Sequence, residues 1–428
     1  MNSLLILFGN LFSKASRFLN LGSGSTWSGH IALFLNPNFI KELLNKNKLK
    51  VILIAGTNGK TTTSKLIRAV LEKNNKKVFQ NTAGANLLNG IASSLISNAD
   101  LKGKIKKDFA IFEIDENTLP LILEEINNPD YIIILNLFRD QLDRYGEINT
   151  IAEKWSNALK KISRETTLVL NADDPQVVNL QKSFSKVFYF GIDSQKERST
   201  GTQHASDSTY CPNCTTKLTY NFVNFSHLGD WFCKKCGYKH PQKTFTSFSF
   251  YPLMGVYNKY NANAAVLTAK ILGFKDTQII DSLKRFTPAF GRQETLKIKE
   301  RKVQIFLSKN PTGFNETLKT IFNLNAKNLL LLLNDRIPDG RDVSWIWDAD
   351  LENFSTQFQN ITVSGDRAFD MGLRLKYANF KKFETEENFT QALQKALTKT
   401  RENEVLYIMA TYSAMLDIRK ILTGKKMI

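Results

Sequence analysis

The chain has 428 residues, of which 42% are hydrophobic and 23% charged, and this is the composition of a folded protein of two to four domains rather than of a disordered chain. Its formal net charge of +18 indicates either a generally basic surface or attraction to an anionic partner such as a nucleotide, a phosphorylated substrate or a membrane face. Nucleic acid is the least favoured of these partners, because no run of arginine and aromatic residues is present.

The N-terminal segment, residues 1–45, begins with an apolar run that is shorter than the roughly 20 residues that span a bilayer. It has no basic start and no small-residue cleavage site, so we do not expect a signal peptide. The spacing predicts an amphipathic helix that packs on the protein, with a membrane surface as the alternative. Its apolar face comprises Leu4, Leu5, Leu7, Phe8, Leu11 and Phe12. No other segment approaches a transmembrane span, so we expect a cytoplasmic protein that can lie peripherally at the inner face of the membrane.

Residues 46–295 have the pattern of an α/β domain. The run VILIA (51–55) predicts a buried strand, and a glycine-containing loop and a helix (62–72) follow it. Further buried strands, mostly separated by helical stretches, are predicted at 109–114, 131–137, 167–172 and 187–192. Strands that alternate with helices predict a mostly parallel sheet.

Residues 296–428 predict a second, smaller α/β domain. Its strands are expected at 303–307, 329–334, 361–366 and 405–410, with helical or mixed segments between them.

The strongest chemical signal is the loop between the first strand and its helix: Gly56, Thr57, Asn58, Gly59, Lys60, Thr61 and Thr62. A glycine loop at a helix N-terminus brings backbone N–H groups close to phosphate oxygens. Lys60 can reach the β- and γ-phosphates, and the Thr61 hydroxyl can bind Mg²⁺. The strict P-loop pattern has a glycine where this chain has Ile54, so the loop is a P-loop variant.

The second strong signal is a pair of CxxC motifs, Cys211 with Cys214 and Cys233 with Cys236, separated by 18 residues. Four thiolates at this spacing form a tetrahedral zinc site, and a closed site of this kind is structural and remote from the chemistry. The pairs lie in a segment, about 205–242, that interrupts the α/β pattern, which predicts an inserted zinc ribbon. An iron–sulfur or redox role is the weaker alternative.

The loop GTNGKTTT resembles the nucleotide loop of the Mur ligase family, which includes folylpolyglutamate synthetase. Further segments are similar to that family's motifs and occur in the same order: FEIDE (112–116), LNLFRDQLDRYG (135–146), NADD (171–174), GVYNKYNANAA (255–265) and FGRQE (290–294). The resemblance implies an ATP-dependent carbon–nitrogen ligase that activates a carboxylate as an acyl phosphate.

The resemblance also implies roles for individual residues. Glu113 is expected to bind Mg²⁺ together with Thr61, and Lys60 to act in catalysis. Asn258 and Asn261 are expected to line the nucleotide site, and Arg292 resembles the family's hinge arginine. In many members a carbamylated lysine is a metal ligand, and Lys154 lies at about the corresponding distance.

The chain departs from the family at two places. Gln141 stands where many members have a histidine that helps to bind a second metal, which leaves Asn136, Asp140 and Asp143 as polar candidates in that turn. In the C-terminal domain the histidine of a DYAHNP-like stretch is absent, although Asn310 and Pro311 are retained. This second departure suggests a nucleophile other than an amino acid.

The zinc insert and two C-terminal segments, 308–318 and 334–352, resemble one subgroup of the family. Its members are ligase subunits that amidate the α-carboxylate of D-glutamate in lipid II, during peptidoglycan synthesis, with ammonia from a separate class I glutaminase. All four cysteines belong to the zinc motif, so none is left as a glutaminase nucleophile. The alternatives are an amino-acid-adding Mur or folylpolyglutamate synthetase-like ligase, and a zinc-ribbon NTPase that binds nucleic acid.

An acidic cluster in the C-terminal domain comprises Asp335, Asp339, Asp342, Asp348 and Asp350. We expect Asp348 or Asp350 to act near the ligase site or the subunit contact, and Trp345 and Trp347 beside them suit an interface.

Overall fold

A computed structural model describes residues 2–18, 26–81, 85–140, 148–199, 206–298 and 300–424. Within them, two six-stranded sheets carry helices, and a two-stranded hairpin forms a third, small sheet. The predicted α/β fold is therefore confirmed. Among the described residues, every helix is too short or too polar to cross a membrane.

The first sheet is parallel throughout and has the strand order β2-β3-β1-β4-β5-β6. Its strands are β1 (Lys50–Ala55), β2 (Val78–Gln80), β3 (Phe109–Glu113), β4 (Tyr131–Ile134), β5 (Thr167–Asn171) and β6 (Val187–Phe190). Its helices are α4 (Lys60–Lys73), α5 (Leu88–Asn98), α6 (Thr118–Glu125), α7 (Ile148–Leu159), α8 (Pro175–Val178), α9 (Val256–Ile271) and α10 (Asp276–Lys284).

The unbroken apolar run of β1 reflects burial on both faces of the sheet. Leu53 and Ala55 belong to one hydrophobic core, and Ile52 and Ile54 belong to the core on the opposite face. β3 and β4 lie on opposite sides of β1, so the winding of the sheet reverses there. In open α/β sheets the carboxyl ends of the strands at such a reversal form the ligand crevice. The loop that follows β1 opens into this crevice.

The predicted insert contains the hairpin β7 (Thr219–Phe225) and β8 (Leu228–Phe232), which pair antiparallel. The buried Trp231 attaches this hairpin to the central sheet and donates to the carbonyl of Ala172 at 3.3 Å. Beyond the insert the chain returns to the edge of the sheet, where Phe245 pairs with Phe190.

The second sheet has the order β13-β12-β11-β14-β10-β9 and is parallel except for the β9–β10 pair. Its strands are β9 (Arg292–Ile298), β10 (Arg301–Leu307), β11 (Asn328–Leu332), β12 (Asn360–Ser364), β13 (Glu384–Thr385) and β14 (Val405–Ala410). Its helices are α11 (Pro311–Asn323), α12 (Ala368–Tyr377), α13 (Phe389–Lys399) and α14 (Tyr412–Thr423), with short 3₁₀ turns at Ser344–Asp348 and Leu351–Phe354. Each strand predicted from the sequence lies at the expected place, within a few residues at its ends.

Three helices precede β1: α1 (Asn2–Phe18), α2 (Trp27–Leu35) and α3 (Phe39–Asn45). α1 packs on the protein as expected, but only part of the predicted face is buried. Leu5 and Ile6 are buried, whereas the rest of the predicted face that the structure describes is exposed: Leu4, Leu7, Phe8 and Leu11. The side chain of Phe12 lies outside the described part. Ile6 is buried because it lies in one hydrophobic core with leucine and isoleucine side chains of α3 and α5.

Candidate nucleotide-binding and ligase site

The loop between β1 and α4 has a backbone that only glycine adopts without strain at two positions. Gly56 has φ +138° and Gly59 has φ +94°. A Cβ atom at Gly59 would lie 2.0 Å from the Asn261 Oδ1, so the loop backbone touches α9 directly. Both glycines are therefore required by the local geometry.

The segment after β4 holds this loop in place. The Asn136 side chain accepts from the Asn58 N–H at 2.9 Å and donates to the Asn58 carbonyl at 3.0 Å. The Thr57 hydroxyl donates to the Phe138 carbonyl at 3.1 Å and accepts from the Phe138 N–H at 3.0 Å. The predicted strand 131–137 ends at Ile134 because the next residues bind the loop rather than extend the sheet.

Lys60 folds back over the loop, and its ammonium uses all three of its donors there. It donates to the Gly56 carbonyl at 2.5 Å, to the Thr57 carbonyl at 3.3 Å and to the Glu116 carboxylate at 3.3 Å. Burial raises the pKa of Glu116, but the charges of Lys60 and Lys309 outweigh it and leave that pKa below its usual value. Glu116 therefore stays ionised and holds Lys60 close to the place where phosphate is expected.

Glu113 ends β3 and faces the start of α4. Its two carboxylate oxygens accept from the hydroxyls of Thr61 and Ser64, each at 2.7 Å. The buried Asn81 fixes the backbone of Glu113 by accepting from its N–H and donating to its carbonyl, each at 2.9 Å. A carboxylate and hydroxyls on the first turn of the helix are the hard oxygen ligands that Mg²⁺ binds. The donor set at Thr61 and Glu113 therefore fits this ion.

The predicted asparagines lie on the first turns of α9, beside the loop. The Asn261 amide donates to the Asn258 Oδ1 at 3.2 Å, and the Asn258 amide donates to the Met254 carbonyl at 2.7 Å. Both side chains are buried, and both line a cleft that also contains Asn58, Gly59 and Thr62. The predicted nucleotide residues are thus together in one place.

Arg292 begins β9, where the chain passes from the first sheet to the second, and lines the same cleft. Burial lowers the pKa of its guanidinium, and the Glu113 charge acts in the opposite direction. The next residue, Gln293, has φ +63° and bonds to both backbone groups of Met254, with its Oε1 at 2.9 Å and its Nε2 at 2.7 Å. These contacts fix the link between the two sheets beside the cleft.

The C-terminal sheet closes over the loop through two residues that follow β10. Lys309 forms an ion pair with the buried Asp140, and Asn310 makes two hydrogen bonds with Asn58, at 3.1 and 3.4 Å. Burial lowers the pKa of Lys309, but Asp140 and Glu116 outweigh it and raise that pKa above its ordinary value. Burial raises the pKa of Asp140 despite the lysine charge. A second ammonium thus lies beside Lys60, supplied by the other sheet.

The two candidate aspartates of the C-terminal domain have different surroundings. The Asp348 carboxylate lies 3.7 Å from the guanidinium of Arg139, which directly precedes the buried Asp140 in the chain. Asp350 instead exchanges two hydrogen bonds with Asn315 on α11, at 2.8 and 3.1 Å. The contact with Arg139 favours Asp348 as the aspartate near the ligase site. The bonds to Asn315 instead fix Asp350 between the two 3₁₀ turns.

Lys154 is exposed on α7, while its neighbour Trp155 is buried and donates to the Glu116 carbonyl at 2.8 Å. The helix therefore reaches the site through its tryptophan, and a metal-binding role for Lys154 stays a prediction. Gln141 and Asp143 lie outside the described residues. Of the other candidates of that turn, Asn136 bonds to the loop and Asp140 pairs with Lys309.

The four cysteines come together as predicted. The Cys211 and Cys236 sulfurs are 3.6 Å apart, those of Cys214 and Cys233 are 3.5 Å apart, and all four lie within 4.8 Å of one another. A tetrahedral zinc with Zn–S bonds of about 2.3 Å requires sulfurs about 3.8 Å apart. The cluster therefore fits one zinc ion.

Sequence reasoning assigned no role to four residues of this site: Ser64, Asn81, Glu116 and Lys309. Ser64 follows Thr61 by three residues and thus shares its helix face, so the helical period could have identified it. Lys309 and Asn81 come from distant parts of the chain to contact Asp140 and the Glu113 backbone, and no local pattern indicates such contacts.

Comparison with known families agrees with this geometry. Residues 54–269 match the Mur ligase middle domain, and residues 307–415 match the MurT ligase C-terminal domain. The chain is 36% identical over 398 residues to the lipid II isoglutaminyl synthase (glutamine-hydrolyzing) subunit MurT of Staphylococcus aureus strain COL, covering 87% of each chain. It is 32% identical to the subunit of the same name from Streptococcus pneumoniae strain R6, covering 98% of this chain and 97% of that protein.

Solved structures share the fold at lower identity. A pseudomurein peptide ligase type C from Methanothermus fervidus aligns with a TM-score of 0.65 at 21% identity, over 90% of this chain and 80% of that one. MurF ligase from Thermotoga maritima, in complex with ADP, aligns with a TM-score of 0.64 at 13% identity, over 92% and 83% of the two chains. The identity to the MurT subunits over most of both chains is decisive, and this chain therefore belongs to the MurT family of Mur ligases.

Proposed function

We propose that the chain is the ligase subunit of a two-subunit enzyme that amidates lipid II. In this reaction the α-carboxylate of D-glutamate in the stem peptide becomes D-isoglutamine. The names of the MurT relatives support the substrate and the overall reaction. The single observation that carries the chemistry is the convergence of Lys60, Thr61 and Glu113 on one glycine loop.

The arrangement suits phosphoryl transfer to a carboxylate. A carboxylate oxygen attacks the γ-phosphorus of ATP, ADP leaves, and an acyl phosphate forms. The nitrogen of ammonia then attacks the acyl carbon, phosphate leaves, and a proton is lost to yield the amide. Lys60, with Lys309 and Arg292 near it, supplies positive charge where triphosphate and substrate carboxylate bring negative charge together.

We assign Mg²⁺ to the Thr61 hydroxyl and the Glu113 carboxylate, where it would offset phosphate charge. We assign one zinc ion to the cluster of Cys211, Cys214, Cys233 and Cys236, in a structural role. Ser64 also bonds to Glu113 and therefore orients this carboxylate.

The ammonia must come from elsewhere, because all four cysteines of the sequence are in the zinc cluster. We propose a class I glutaminase as the partner. An exposed apolar patch on the C-terminal domain suits such a contact: Trp347 stacks edge-on against Tyr377 at 5.5 Å, and Phe369 and Leu373 continue the exposed face of α12. Asp348 follows Trp347 in the chain, and its carboxylate lies 3.7 Å from the Arg139 guanidinium, so this patch lies beside a contact between the two domains.

We further propose that the N-terminal helices rest on the membrane that carries the lipid substrate. α1 and α2 pack together, and each presents an exposed apolar stripe, with Phe8 63%, Trp27 61% and Phe34 82% exposed. The net charge of +18 favours an anionic bilayer. Phe34→Glu should reduce co-sedimentation with phosphatidylglycerol vesicles, whereas Phe369→Glu on α12 should not. Equal losses in both variants would count against this face.

The function is tested by the nitrogen source. The purified chain is incubated with lipid II, Mg-ATP and either ammonium or glutamine, and the lipid is analysed by mass spectrometry. We expect ammonium alone to give the amide, in which NH₂ replaces OH, and glutamine to work only after the glutaminase is added. Amidation from glutamine by the pure chain would refute the two-subunit proposal, and ligation of a free amino acid would identify an amino-acid-adding ligase instead.

A further inference from the structure

We propose that the zinc-ribbon insert supplies part of the nucleotide site, with Phe225 as the wall against which the nucleoside of ATP packs. This inference rests on the proposed function, because it assumes that the cleft binds ATP. The insert was expected to carry a structural zinc cluster that is remote from the chemistry. Its hairpin, however, reaches the cleft.

Phe225 ends β7 and lines the same cleft as Asn58 and Gly59 of the phosphate-binding loop. Its ring lies 5.9 Å from that of Phe138 and 5.5 Å from that of Tyr260, and all three side chains are almost fully buried. All three rings line the cleft together with the loop, so they give it an aromatic surface. Flat apolar walls of this kind hold nucleobases by stacking.

The amides on α9 complement this aromatic wall. Asn258 and Asn261 line the same cleft, and asparagine side chains can both donate to and accept from a purine edge. Phe225 thus shares the cleft with polar groups of the type that read a base. A purine nucleoside triphosphate matches these groups: its phosphates would bind the loop, its base would stack on the aromatic rings, and the amides would bind the edge of the base.

A buried carboxylate fixes the hairpin in this position. Asp173, at the end of β5, accepts from the Tyr260 hydroxyl at 2.5 Å and from the Asn224 amide at 3.1 Å. It also lies 2.8 Å from His240 and 2.9 Å from Lys243, both of which follow the second CxxC motif. One side chain therefore ties the residue before Phe225, the far end of the insert and α9 together.

The neighbouring carboxylate ties the hairpin turn to the loop. Asp174 accepts from the Leu137 N–H at 2.9 Å and lies 3.4 Å from the His227 Nε2. The His227 ring is 4.9 Å from that of Phe138, whose backbone holds Thr57 of the loop. Correct folding of the insert around its metal therefore positions Phe225 relative to the loop.

The test compares two phenylalanines on the same strand. Phe225 lines the cleft, whereas Phe222 packs under Arg198 at 4.0 Å and does not line it. The Kd for Mg-ADP is measured by calorimetry for the wild type, Phe225→Ala and Phe222→Ala, together with zinc content and Tm. We expect Phe225→Ala to raise the Kd about tenfold, because stacking of a base on an aromatic side chain contributes about this much to binding affinity. We expect Phe222→Ala to change the Kd by less than about twofold.

Unchanged ADP affinity in Phe225→Ala would overturn the inference, as would an equal loss in Phe222→Ala. If Phe225→Ala does not fold, Phe225→Leu replaces it, because leucine keeps apolar volume at this position but has no aromatic ring. This variant should also bind ADP more weakly than the wild type while its zinc content stays the same. If the wild type itself does not bind ADP, the proposed function fails rather than this inference.

Discussion

Gly59→Ala tests the contact between the phosphate-binding loop and α9. An L-residue in the left-handed conformation of Gly59, φ +94°, costs about 1–2 kcal/mol. The added Cβ would also lie 2.0 Å from the Asn261 Oδ1, so the buried Asn261 amide must move and lose its bond to Asn258. Leaving buried polar groups unpaired costs about 1–3 kcal/mol more. We therefore expect about 2–5 kcal/mol of destabilisation.

Gly273→Ala is the matched control. Gly273 has φ +92°, nearly that of Gly59, but a Cβ there would meet nothing within 4 Å. The difference in the free energy of unfolding between the two variants, measured by urea denaturation, isolates the collision with Asn261. Asn261→Ala should remove most of that difference when combined with Gly59→Ala. Equal destabilisation at Gly59 and Gly273, or strict additivity in the double variant, would refute the close approach of loop and helix.

Three further predictions concern Lys60, the zinc cluster and the Lys309–Asp140 pair. Lys60→Ala should abolish ATP-dependent ligation in a protein of normal far-UV circular dichroism, and normal turnover at saturating ATP would contradict its role. Elemental analysis should find one zinc per chain, and Cys233→Ser should lower Tm and zinc content more than kcat; freshly purified protein without zinc would contradict the site. Lys309→Met removes the positive charge beside the buried Asp140 and should raise the pKa of that carboxyl further. A carboxyl whose pKa is higher in the folded than in the unfolded state lowers the free energy of unfolding as pH rises between the two values. Asp140 can take up a proton in the folded variant, so the cost of burying it cannot exceed the free energy of protonating an ordinary carboxyl at the same pH. Urea denaturation should therefore show a loss in the free energy of unfolding of at most about 4 kcal/mol at pH 7 and about 1.5 kcal/mol at pH 5. A loss independent of pH would contradict a buried, unpaired Asp140.

The structural features that short sequence patterns determine could be predicted from the sequence. The run 51–55 could be placed in a doubly buried strand because its residues are apolar without alternation, and the glycine loop followed from its position between strand and helix. The Cys₄ cluster followed from spacing alone, because two CxxC motifs limit the geometry of the four sulfurs.

The parts that depend on packing between distant segments could not be predicted. The apolar face of α1 was expected to be buried, but periodicity identifies a stripe and not what covers it, and Phe8 remains exposed. Lys309 reaches Asp140 only because the second sheet closes on the first. Phe225 lines the cleft from a hairpin that Asp173, which follows β5, holds through Asn224. None of these contacts leaves a periodic signal in the sequence.

The proposal that the chain activates a carboxylate as an acyl phosphate is tested most directly by isotope transfer. Lipid II in which both oxygens of the D-glutamate α-carboxylate are ¹⁸O is incubated with the purified chain, Mg-ATP and ammonium, and the released inorganic phosphate is analysed by mass spectrometry. We predict that each amide formed releases one phosphate that carries a single ¹⁸O, because the carboxylate oxygen that attacked the γ-phosphorus leaves with it. Phosphate without label, or label recovered in AMP, would contradict the acyl phosphate and with it the roles given to Lys60, Thr61 and Glu113.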